Sequence, residues 1–277
     1  MSNCRVIAIA NQKGGVGKTT TAFNFGVALA NEGKKVLLID ADPQGDLTTY
    51  AGFYEQDKIP TTLANLMEQS INDEKIEVDK AILHHNENID LIPANLDLSA
   101  MEMSLINAMS REYTLKNCLS EVKNNYDYII VDCMPSLGML TVNVLACADS
   151  VIIPVQSQYL AAKGMTHLLK TISKVKRQIN PELKIEGVLL TLVDKRTNLS
   201  KEVKEQLQDD YSSVLNIFET QIPLAVKTAE SSSQGKSIFK YDKNSSVAKA
   251  YSEFTKEVLK EDGKEKRKNA IRKDYVR

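Results

Sequence analysis

Apolar positions along the chain gather into short continuous runs, separated by stretches with helical spacing. Val6 to Ala10, Lys35 to Asp40, Ile89 to Pro93, Tyr128 to Asp132, Ser150 to Pro154 and Gly187 to Thr191 each read as a strand, and Val214 to Ile222 supplies another. Most of these runs are apolar at consecutive positions, the pattern of a strand covered on both faces. Helical patterns fill the gaps, notably Thr19 to Asn31, Ala161 to Gln178 and Ser200 to Asp209, with Gly33 placed to cap the first. A last helix, Ser245 to Glu261, sets Val247, Tyr251, Phe254 and Val258 on one packing stripe, and Gly263 is expected to end it and release a tail. Alternation of this kind predicts an α/β fold: a single doubly wound, mostly parallel sheet with helices on both faces. No linker or repeat divides the chain, so residues 1–262 read as one domain and 263–277 as a basic C-terminal tail.

Composition narrows the class. Over 277 residues the chain is 43% hydrophobic and 26% charged, which excludes disordered, collagen-like and disulfide-rich proteins. The most apolar region, Tyr128 to Val155, is interrupted by Asp132 and Asp149, so no membrane-spanning segment is expected. The start, Met1 to Val6, runs straight into a strand without a secretory leader, and a cytoplasmic protein is expected. Cys4, Cys118, Cys133 and Cys147 form no Cys-x-x-Cys pair; three lie among apolar neighbours as small buried hydrophobes, which argues against zinc or an iron–sulfur cluster. The net charge of −1 hides an asymmetry: from Gly263 onward seven Lys/Arg against two Asp/Glu give +5, leaving −6 on the rest. A basic end on a slightly acidic body suits a local polyanion contact or a merely solvated terminus.

The strongest chemical signal is Lys13-Gly14-Gly15-Val16-Gly17-Lys18-Thr19-Thr20, between the first strand and the first helix. A strand–glycine loop–helix unit aims successive backbone N–H groups at one spot beside a helix N-terminus, where phosphate binds. Lys18 is placed to reach the β- and γ-phosphates, and Thr19 to set its hydroxyl on Mg²⁺. Gln12 stands where the strict pattern has its first glycine, and a second lysine, Lys13, lies inside the loop. Asp132 ends a buried strand, a usual place for a carboxylate that holds Mg²⁺ through water, and Asp40 ends another. Asp40 and Asp42 are two apart on an extended segment, so both can face one site.

Together these segments resemble the ParA/Soj family of partition ATPases. Lys13 to Thr20 is similar to the deviant Walker A motif, with Asn11-Gln12 before it. Asp40-Ala41-Asp42-Pro43-Gln44-Gly45-Asp46 resembles switch I, and Asp132-Cys133-Met134-Pro135-Ser136-Leu137-Gly138 resembles Walker B with switch II. Gly187 to Thr191 through Asp194 to Leu199 looks like a block typical of Soj-like proteins, and Ile222-Pro223 with Glu230 and Gly235 resembles the nucleotide-base loop. The resemblance implies ATP and Mg²⁺ as cofactors: Lys13 to Thr20 and Pro223 on the nucleotide, and Thr19, Asp40 and Asp132 on the metal. It further implies that Asp42 orients the attacking water. The resemblance implies, too, that Lys13 crosses to the ATP of the other subunit in a sandwich homodimer and that Lys13, Lys18 and Asp42 carry catalysis.

The same resemblance implies non-specific DNA binding, with Arg196 and Lys227 where relatives carry phosphate-contacting residues, and a ParB-like centromere-binding partner that stimulates hydrolysis. It also implies nucleoid association in the cytoplasm. Four positions depart from the family pattern: Met134 replaces the first of two prolines, Leu224-Ala225 replaces Arg-Asn, and Gln158 stands where many relatives carry Glu. None touches the phosphate machinery, but Ala225 removes an adenine contact. The alternative from another class is a MinD-like membrane-associated regulator of cell division. It is weakened because Ile271 is the only large apolar residue of the tail between Lys264 and Lys273, so no stable membrane anchor is expected.

Overall fold

The computed structural model describes residues 4–157, 161–194, 196–212 and 214–274. Among these residues eight strands form one sheet: β1 (Arg5–Ile9), β2 (Val36–Ala41), β3 (Leu83–His85), β4 (Ile89–Ile92), β5 (Tyr128–Cys133), β6 (Ser150–Gln156), β7 (Lys184–Val193) and β8 (Ile217–Pro223). Their order is β3-β4-β2-β5-β1-β6-β7-β8, parallel throughout except for the β3/β4 pair. Twelve α-helices among the described residues connect them: α1 (Lys18–Asn31), α2 (Asp46–Tyr50), α3 (Leu63–Ile71), α4 (Val78–Ala81), α5 (Leu98–Asn107), α6 (Thr114–Ser120), α7 (Met139–Cys147), α8 (Ala161–Gln178), α9 (Asn198–Tyr211), α10 (Val226–Ser233), α11 (Ile238–Asp242) and α12 (Ser246–Asp274).

The continuous apolar runs are explained by two cores, one on each face of the sheet. Along β1, Val6, Ala8 and Ala10 enter one core while Ile7 and Ile9 enter the other. Strand β5 divides likewise, with Ile129, Val131 and Cys133 on the first face and Tyr128 and Ile130 on the second. Helices α3, α5, α6, α7, α8 and α9 supply the first core; α1, α2, α11 and α12 supply the second. The predicted stripe of α12 is wholly buried, and Phe254 packs between Phe25, tilted to it, and Phe218, edge-on to it, at centroid distances of 5.0 and 4.9 Å. Gly33 adopts φ +76° and closes α1, donating its N–H to the Ala30 carbonyl. All four cysteines are buried thiols, and burial pushes Cys4, Cys118 and Cys147 up to about 12.

Three expectations change. Strand β3 carries Leu83-His84-His85 and pairs antiparallel at the sheet edge, where one half-exposed face needs no apolar run. Strand β8 begins at Ile217, because Val214 is exposed in the preceding turn. The final helix does not end near Glu261: α12 passes through Gly263 to Asp274, since the φ of Gly263 is an ordinary helical one and nothing obstructs its turn. Gln158 lies outside the described residues.

The order of strands places the site. From β1 the chain crosses to β2 on one side and, through β5, returns to β6, β7 and β8 on the other. Ligands in such sheets sit beyond the carboxyl ends of the strands at this reversal. The loop from Ala10 to Gly17 leaves β1 there.

Candidate nucleotide site

Neighbouring strands hold the loop from both ends. The Asn11 side chain is buried; its Nδ2 donates to the Pro154 carbonyl on β6 at 2.7 Å, and its Oδ1 accepts the Lys13 N–H at 3.0 Å. Val16 is buried, and its carbonyl accepts the hydroxyl of Thr191 on β7 at 2.7 Å. Gly15 and Gly17 take φ of +70° and +81°, conformations that side-chain-bearing residues rarely adopt. Gly17 caps α1 without a side-chain hydrogen bond, so the first-turn N–H groups present themselves for an anion. The Lys18 side chain is buried, and its Nζ donates to the Lys13 carbonyl at 3.3 Å. The side chain of Lys13 stands on the exposed rim.

Three carboxylates converge beside Lys18. Asp40 and Asp132 are register partners at the ends of β2 and β5, and both are fully buried. Asp40 Oδ2 accepts the Thr48 N–H and hydroxyl, each at 2.8 Å, and its Oδ1 accepts the Asp42 N–H at 3.2 Å. Burial pushes Asp40 up to about 7 against these hydrogen bonds, with the Asp42 charge adding a little. Asp132 is held well above the ordinary carboxylate range by burial and then by the Asp40 charge, which Thr19 and Lys18 only partly offset. Neither Asp132 oxygen finds a hydrogen-bond partner among the described residues. Asp42 is raised by burial and lowered by the Gln44 N–H, which it accepts on Oδ1 at 3.0 Å.

This donor set fits a small hard cation. An orphaned buried carboxylate beside a threonine hydroxyl is costly alone and favourable once a cation stands against it. Among the described residues no three His, Cys, Asp or Glu side chains form a metal cage. That suits Mg²⁺, which keeps much of its water and is completed by phosphate oxygens. Cys133, beside Asp132, turns into the core instead.

Residues 4–185 match the family model described as "AAA domain". The chain is 45% identical over 254 residues to the sporulation initiation inhibitor protein Soj of Bacillus subtilis, covering 92% of this chain and 98% of that one. It is 42% identical over 260 residues to the chromosome partitioning protein ParA of Myxococcus xanthus, covering 93% and 89%. The chain belongs to the ParA/Soj family. A solved structure named cobyrinic acid a,c-diamide synthase, from Mycobacterium smegmatis with bound ATP analog and magnesium, superposes with a TM-score of 0.79 at 39% identity, covering 92% and 94%.

In this ParA/Soj member, residues outside the recognised motifs tie the site together. Thr48 fixes Asp40 and also accepts the Ala94 N–H at 3.1 Å, so one hydroxyl links the end of β2 to the chain just past β4. Glu102 of α5 accepts the Leu140 N–H at 3.1 Å, capping α7 just after the segment that begins at Asp132. Neither was legible, because each partner is distant in sequence. Thr191 ends the apolar run from Gly187, and its grip on Val16 is visible only in three dimensions. Pro223, on β8, pairs with Val193 of β7, the strand whose Thr191 holds Val16, and lines a cleft of about 790 Å³ with Asp194, Arg196, Leu224 and Lys249. The two expected DNA contacts are exposed but engaged, Arg196 in a two-point bond to Asp194 and Lys227 in an ion pair with Asp242.

Proposed function

We propose that this ParA/Soj member is a partition ATPase that binds ATP and Mg²⁺, forms a sandwich homodimer, coats DNA without sequence preference and is triggered by a ParB-like partner. The observation that carries the reading is the buried, unpartnered Asp132 facing Asp40, Thr19 and Lys18 at the mouth of a deviant glycine loop. Mg²⁺, when bound, neutralises charge developing on the phosphate oxygens. The loop amides and Lys18 would bind the β- and γ-phosphates, and Thr19, Asp40 and Asp132 would hold the metal. Asp42, with one oxygen already fixed by Gln44, orients water toward the γ-phosphate with the other. Lys13, exposed on the rim, supplies positive charge to the nucleotide of the second subunit, so full stabilisation waits for dimerisation. ATP thus acts as an assembly switch, because its γ-phosphate makes contacts that ADP cannot. The absence, among the described residues, of a helix long and apolar enough to cross a membrane leaves this reading undisturbed.

The test compares the wild-type protein with Lys13→Ala, measuring nucleotide affinity of the monomer, ATP-dependent dimerisation and turnover. Retained nucleotide binding with dimerisation and hydrolysis reduced at least about tenfold is expected. Normal dimers and normal turnover in the variant would remove Lys13 from the mechanism. Binding of wild-type protein to a random-sequence duplex is expected with ATP and not with ADP, weakening as salt rises. Dimers that form with ATP yet ignore DNA and float with anionic liposomes would return the membrane alternative.

A further inference from the structure

Helix α8 holds five Lys/Arg and no Asp/Glu in its 18 residues. His167, Lys170, Lys174 and Arg177 are exposed and recur at spacings of three and four, so they share one face. Met165, Leu168, Ile172 and Val175 bury the opposite face in the core. None of the four forms an ion pair with a described residue, unlike Arg196 and Lys227, each of which has its own acid. Lys170 and Lys174 stand at i,i+4, where like charges repel along the helix. Such a stripe costs stability by itself and is relieved by a polyanion.

The surroundings define the polyanion. Lys170, Lys174 and Arg177 line a groove of about 580 Å³ with the hydroxyl residues Thr166, Ser173 and Tyr211. Hydroxyls interleaved with cations suit phosphate oxygens. Leu137 and Leu169 also line it, and no acid does, so every charge on its wall is positive. From Lys170 to Arg177 the helix rises roughly 10 Å, a length over which duplex DNA presents about six phosphate charges. Leu137, also in the groove wall, belongs to the segment that begins at Asp132, so this surface and the cation site share one stretch of chain. We propose that the polar face of α8 is a surface on which the phosphate backbone of duplex DNA lies. This rests on the reading that the ATP-loaded protein binds DNA, and it adds the face of α8 to the contacts expected of Arg196 and Lys227.

The experiment uses the full chain with ATP and a random-sequence duplex across a salt series. Replacing Lys170, Lys174 and Arg177 together by Gln is expected to lower affinity at least about tenfold and to flatten the slope of log affinity against log salt by roughly two to three per subunit. A melting curve matching wild type shows that the variant is folded, as substitutions at exposed positions permit. Independently of any variant, DNA with ATP is expected to shield Lys170 and Lys174 of the wild-type protein from an acetylating reagent. A wild-type slope in the folded triple variant, or equal acetylation with and without DNA, overturns the assignment while leaving the partition reading standing. Loss of polyglutamate binding in the variant with DNA binding intact also overturns it, in favour of an acidic protein partner. If wild-type protein with ATP binds no DNA, the partition reading fails first and this assignment with it.

Discussion

At the scale of single residues, Asp40 and Asp132 show how a cation site is stored in a fold. Both carboxyls are buried on adjacent strand ends, Asp40 held by Thr48 and Asp132 by no hydrogen bond from a described residue. Between the ordinary value of 3.8 and about 7, folded Asp40 keeps a proton that the unfolded chain has lost. Stability of the nucleotide-free protein therefore falls as pH rises through that window, and the penalty is complete above it. Thermal unfolding without nucleotide is expected to show a lower midpoint at pH 8 than at pH 5. Asp40→Asn should flatten that difference; an unchanged pH dependence would mean that other groups set it. For Asp132→Asn the expected result is a loss of Mg²⁺-dependent hydrolysis of about 100-fold, with the nucleotide-free fold as stable as wild type or more so, because a neutral amide costs less to bury.

At the scale of elements, the sheet's neighbours constrain the loop and the switches. Helix α1 packs so closely on β2 that a Cβ on Gly26 would meet the side chain of Leu38, which is itself fully buried. Gly26→Ala gains up to about 1 kcal/mol in helix propensity. It loses about 1–3 kcal/mol to overpacking, since Leu38 has nowhere to move. A net destabilisation on the order of 1 kcal/mol is expected in denaturant unfolding, against the usual sense of that substitution. A stabilised variant would show that the contact yields. The Gly138 contact differs in kind, because a Cβ there meets the flexible end of Glu102, the carboxylate that caps α7. That substitution would act on switch II rather than on the core.

Across the whole molecule, α12 is pinned by its buried stripe and by Asp262, which accepts the Tyr128 hydroxyl and pairs with Arg5. Arg5 also pairs with Glu186, so one cluster joins β1, β5, β7 and the turn of α12 at Asp262. All of these contacts precede Gly263. Removing residues 264–277 is expected to leave the melting temperature within about 2 °C of wild type and to weaken DNA binding at low salt. A large drop in stability would show that the basic segment is part of the fold. Much of this architecture was legible from the chain alone. The central strands were read correctly because each is buried on both faces and thus apolar at every position. The turn from Lys13 to Thr20 between β1 and α1 was legible because glycines stand where the backbone takes positive φ, at Gly15 and Gly17. Strand β3 was not, since an edge strand needs no apolar pattern, and neither was the passage of α12 through Gly263, where a helical glycine is tolerated. Local composition alone determined the α/β class, the phosphate loop and the carboxylates that end β2 and β5. Only the tertiary structure set Asp132 beside Asp40, aimed Thr48, Thr191 and Glu102 at the site, and paired Arg196 and Lys227 while leaving Lys170, Lys174 and Arg177 without an acid among the described residues. Those outcomes depend on which strands become neighbours, and distances between remote segments are not written in the spacing of residues along either one.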